Sequence, residues 1–94
     1  MDVKNAVQLA IRYTTELFES EKISNLGLEE VAFDDANKEW VVTVGFSRPW
    51  DYAINTALAA LSHPRVQPGR SFKIIRIHDE NGEVVAVKNH PSGE

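Results

Sequence analysis

Apolar and small residues recur at three- and four-residue intervals near the start of the chain, at Val3, Val7, Ala10, Thr14, Leu17 and Phe18. That spacing aligns side chains on one face of an α-helix. Asp2 stands where a short carboxylate can accept the unpaired amides of a helix start, so the pattern predicts a helix from about Val3 to Ser20. Lys4, Gln8, Arg12, Glu16 and Glu19 fall on the other side, with Arg12 and Glu16 four apart. One face is therefore expected in water and the other against a sheet.

After Ser24-Asn25-Leu26-Gly27, which reads as a connection, the period changes to two. Leu28 to Phe33 and Glu39 to Ser47 are β-rich runs separated by Asp34-Asp35-Ala36-Asn37-Lys38, the composition of a hairpin. In the second run Trp40, Val42, Val44 and Phe46 alternate with Val41, Thr43 and Gly45. The bulkier set is assigned to the face under the helix, and with Val7, Ala10 and Leu17 it makes the expected core. Pro49 has no amide to donate, so Arg48-Pro49-Trp50 ends the strand. Asp51 then caps a short helix with Ile54, Leu58 and Leu61 on one side, ending near Ser62-His63-Pro64, and Pro64 to Gly69 is turn-rich. Phe72 to His78 and Glu83 to Lys88 form a second hairpin, in which Asn81-Gly82 is the strongest turn signal. Adjacent Ile74 and Ile75 require a bulge or a sheet covered on both faces.

The fold expected is α+β: an N-terminal helix on a four-stranded antiparallel sheet in meander order, edged by strands 1 and 4, with a short helix inserted between strands 2 and 3. Residues 1–90 make a single domain and 91–94 a fraying tail. Ninety-four residues support one core and not two. A composition 43% hydrophobic and 26% charged disfavours both disorder and a membrane span. The absence of Cys removes disulfides, thiolate zinc sites and a cysteine nucleophile. Met1-Asp2 begins with an acid rather than basic residues before an apolar run, and a cytoplasmic location is expected.

Charge is unevenly placed. Met1 to Trp40 holds nine acids and four bases, giving -5, and Val41 to Glu94 holds five acids and six bases, giving +1. Arg48, Arg65, Arg70, Lys73 and Arg76 are offset between positions 48 and 76 only by Asp51, a stretch that could meet an anionic ligand, although a pI near 5.3 does not suit general nucleic-acid binding.

Acid pairs at Glu29-Glu30, Asp34-Asp35 and Asp79-Glu80 lie on a strand, where neighbours point to opposite faces, or in turns, so none reads as a catalytic pair. Asp35-Ala36-Asn37 lacks the glycine and closing glutamate of a calcium loop, and His63, His78 and His90 lack metal-ligand spacing. No serine stands in a Gly-x-Ser-x-Gly elbow. No catalytic, metal or cofactor site is expected. The informative stretch is Ser47-Arg48-Pro49-Trp50-Asp51-Tyr52, because Arg, Trp and Tyr dominate binding hot spots. Arg48, Trp50 and Tyr52, joined by Arg65 and Arg70 from the following loop, form the candidate partner-binding surface.

The order of helix, hairpin with Glu39-Trp40-Val41-Val42-Thr43-Val44, and closing hairpin from Phe72 through Asp79-Glu80-Asn81-Gly82-Glu83-Val84-Val85 resembles PepSY-type domains and related small bacterial immunity-protein domains. The resemblance covers the helix and both hairpins and leaves out Arg48 to Arg70. It implies a cystatin-like, non-catalytic domain, and in PepSY domains a link to peptidase inhibition, commonly outside the cytoplasm. The function expected is a small cytoplasmic protein-binding module, immunity- or inhibitor-like, that occludes a protein partner. The alternative is nucleic-acid or anionic-ligand binding through residues 48–76. Val41 and Thr43 opposite the helix, joined by Ile75 if the third strand alternates regularly, make an apolar patch that is expected to be covered either by a homodimer or by the inserted helix.

Overall fold

A computed structural model describes residues 1–49 and 70–91 of the chain. Asp2 begins the helix as its side chain implies, accepting the Asn5 amide at 2.9 Å, and α1 runs Val3–Leu17. It ends three residues before the expected Ser20, because Phe18 leaves helical dihedrals and a 3-10 turn follows at Glu19–Glu21, closed by Lys22 at φ 53°. Four antiparallel strands follow: β1 Ser24–Asp34, β2 Glu39–Ser47, β3 Ser71–His78 and β4 Val84–Asn89, in spatial order β1-β2-β3-β4. This is the α+β meander that the alternation predicts, with β1 and β4 at its edges. The helix expected between β2 and β3 lies outside the described residues.

β1 starts at Ser24, within the stretch read as a connection. It keeps pairing with β2 by shifting register between Ser24 and Gly27 and again between Leu28 and Glu30. Each hairpin uses one left-handed residue. In the first it is Lys38 at φ 55°, after a turn in which the Asp34 carboxylate accepts the amides of Ala36 and Asn37 and the Asn37 side chain. In the second only Gly82 takes positive φ, at 73°, and Asn81 instead accepts the Glu83 amide at 2.9 Å through its side chain.

The core forms where α1 meets the sheet. Ala6, Ala10 and Thr14 are fully buried, each four residues from the next, against Val42, Val44 and Phe46 of β2 and Ile75 and Ile77 of β3. The buried Thr14 hydroxyl donates to the Ala10 carbonyl at 2.7 Å, so no donor is stranded. Of the expected core, Ala10, Val42, Val44 and Phe46 are buried, Val7 and Trp40 are half-buried, and Leu17 is 49% exposed. The reason is steric. Small residues occupy the line of closest approach, so the larger Val7, Leu9 and Ile11 are displaced to its flanks, and Leu17 sits in the last turn near Val87 and Lys88.

Cutting Val44 to Ala removes buried methyl groups at the centre of this contact and is expected to cost about 1 to 3 kcal/mol. Leu17→Ala, at an exposed position, is expected to stay within about 0.5 kcal/mol of the parent. Urea midpoints of the two variants check the contrast.

Candidate functional site

β2 and β3 pair without a break, Val42 opposite Ile75 and Thr43 opposite Ile74. Regular alternation thus turns Ile75 into the core, and Ile74 is the residue that joins Val41 and Thr43 on the face away from α1. That corrects the expected patch and places no bulge at Ile74-Ile75, since the one irregularity of the β3–β4 pairing lies at Val85 of β4, the extra residue between the partners of Arg76 and Ile77.

The same face holds an unexpected pair of neighbours. Glu30 is opposite Thr43, and the Glu29 carboxylate stands 3.0 Å from where a Cβ on Gly45 would lie, so both acids occupy the face of Thr43 and Gly45. The register shift between Leu28 and Glu30 places them there, against the simple rule that adjacent strand residues diverge. Glu29 meets the Arg70 guanidinium at 3.3 Å across β2, and Gly45 leaves room for that crossing, because its Cβ would come within 2.8 Å of Arg70 and 2.9 Å of the Phe72 ring. At the opposite end Arg76 reaches Asp34 at 3.2 Å and Glu39 at 3.0 Å.

Two of the five residues proposed from sequence are described. Arg48 follows β2 on the helix side, its Nε 2.8 Å from Glu21 and its guanidinium 5.5 and 5.4 Å from the Phe18 and Phe46 rings. Arg70 precedes β3 at the same end of the sheet but on the opposite face, beside Glu29 and 5.9 Å from the Phe72 ring. The two are therefore separated by the sheet. Trp50, Tyr52 and Arg65 lie outside the described residues. Arginines 48, 70 and 76 each meet a carboxylate from the acidic first half of the chain.

A different surface is open to a partner. Between α1 and β1 runs a mostly apolar groove of about 320 Å³, lined by Val3, Lys4, Val7, Gln8, Leu28 and Val31. Val3 and Leu28 are 43% and 45% exposed on its walls, and Phe33, packed edge-on against Trp40 at 5.0 Å, continues the apolar strip along β1. The outer edge of β1 has no neighbouring strand among the described residues. Sequence periodicity missed this groove because Val3 and Leu28 carry the spacing of core residues. The available signal was the number of elements, one helix for four strands.

Among the described residues no three His, Asp or Glu side chains converge as metal ligands. Asp79 accepts from the Trp40 indole at 2.9 Å and the Met1 amine at 3.2 Å. The Trp40 hydrogen bond first, then the amine, holds its carboxyl below the usual aspartate range. Asp34 is lowered likewise, chiefly by Asn37 and then by Arg76.

Compared with family models, curated proteins and solved structures, the chain matches none. No described helix is long and apolar enough to cross a membrane.

A carboxyl with a lowered folded pKa contributes stability above its unfolded value, near 3.9, and loses that contribution as pH falls through the lowered folded value. Urea stability of the parent is therefore expected to fall below about pH 4. Asp79→Asn is expected to be less stable than the parent at neutral pH and to show a shallower acid decline, which denaturation curves from pH 7 to pH 2 check.

Proposed function

We propose that the chain is a small non-catalytic protein-binding module of the cytoplasm, which occludes a partner in the manner of an immunity or inhibitor protein. The observation that carries this reading is the apolar groove of Val3, Val7, Leu28 and Val31 beside the unpaired edge of β1. An extended partner segment can pair its backbone with such an edge while alternate side chains enter the groove. β1 is regular from Glu30 to Asp34, past its second register shift, and this is the stretch able to accept a strand. Groove and edge both come from the half of the chain with a charge of -5, which favours basic residues around the partner's apolar ones. The resemblance to PepSY-type and immunity-protein domains points to the same class of activity. Binding of an anionic ligand along residues 48–76 has less support, since Arg48, Arg70 and Arg76 each share their charge with an acid of the same chain.

A partner captured by the tagged chain is expected to lose at least about tenfold in affinity for Leu28→Lys and for Val3→Lys, and to keep it for Glu16→Ala on the exposed side of α1. Calorimetry measures the affinities and circular dichroism verifies the folds. Parental affinity in both groove variants would overturn the assignment. Weakened binding of a folded Arg48→Ala protein alone would move the contact to the end of the sheet where Arg48 and Arg70 stand.

A further inference from the structure

The face of the sheet turned away from α1 is ordered in transverse rows. The pairing register places Glu30, Thr43, Ile74 and Lys88 side by side from β1 to β4, and Ala32, Val41, Arg76 and Ala86 in the next row. In the middle of this face Thr43 is 7% exposed, and Val41, Ile74 and Ala86 are half-buried. The Arg70–Glu29 and Arg76–Asp34 pairs close its two ends within the chain. Glu30 and Lys88, at the two edges of one row, are exposed and have no ionic partner among the described residues. Three interstrand spacings, about 14 Å, separate their strands, too far for them to pair with each other.

An acid at one edge of a row, a base at the other and Thr43 and Ile74 between make a surface complementary to itself. If a second copy is turned about a two-fold axis parallel to the strands, its β1 lies over β4 and its β2 over β3. Glu30 of each copy then faces Lys88 of the other, twice, and Thr43 faces Ile74. A two-fold axis perpendicular to the strands would set β1 on β1, acid against acid. We propose that this face is a homodimer interface, closed by the first of these two-folds, in which two reciprocal Glu30–Lys88 pairs set the register of packed sheets. The pairing leaves the groove between α1 and β1 on the outside of each copy and does not depend on what that groove binds.

Sedimentation velocity from micromolar to millimolar protein tests it. The parent is expected to dimerise, and Ile74→Glu, with a charge at the centre of the face, to be monomeric. Glu30→Lys and Lys88→Glu alter exposed residues that the fold does not need. Each alone sets like charges together twice and is expected to raise the dimer Kd at least about tenfold. An equimolar mixture of the two single variants re-creates opposite charges at both contacts and is expected to return to within about threefold of the parent Kd. A parent that stays monomeric throughout overturns the proposal. So do single variants that dimerise as tightly as the parent, or a mixture no tighter than its components.

Discussion

A single helix of fifteen residues, roughly 10 Å across, lies on a sheet whose outer strands are about 14 Å apart, and the surface chemistry of the molecule follows from that shortfall in width. α1 packs on β1, β2 and β3 without covering them fully, presenting Ala6, Ala10 and Thr14 along its line of closest approach. Small side chains bring the helix axis near the sheet, so Val42, Val44, Ile75 and Ile77 lose all contact with water. The same nearness leaves the flanks short of cover. Leu28 and Phe33 on β1 and Val85 on β4 stay partly in solvent because no second helix stands beside the first among the described residues.

On the other face the chain manages exposure with charge. Arg70 and Arg76, at either end of β3, each reach an acid of β1, crossing β2 above Gly45 in one case and beside Glu39 in the other. Ion pairs this exposed contribute little to folding free energy. Their effect is local: long side chains are held flat over the ends of the sheet, and the centre at Val41, Thr43 and Ile74 is framed.

How much of this could be read from the sequence depends on the kind of information each feature needs. Alternation in β2 is strict and bounded by turn residues, so Glu39–Ser47 and its buried set Val42, Val44 and Phe46 follow from pattern alone. Two short hairpin connections place β1 beside β2 and β3 beside β4, and the antiparallel pairing of β2 with β3 joins them into the meander. Pattern fails where size and spacing conflict, as at α1, where bulky Leu17 looked like core and Ala6 did not. It also fails at β1, whose register shifts obey no local signal and put Glu29 and Glu30 on one face. The candidate site suffered most, because Arg48 and Arg70 are neighbours at one end of the sheet in the chain's path yet stand on opposite faces, a relation that emerges only once strand parity is fixed across Phe46 and Ser71.

The irregularity of β1 also bears on edge-to-edge association between molecules. An eleven-residue edge strand that was straight throughout would offer a long ladder of unpaired amides and carbonyls to β4 of another molecule, and so on without end, the geometry from which fibrils grow. Two shifts of register and the left-handed Asn25 break that ladder after Ser24 and before Glu30. The uninterrupted remnant is five residues long, sufficient for one short guest strand and a poor template for an open-ended polymer.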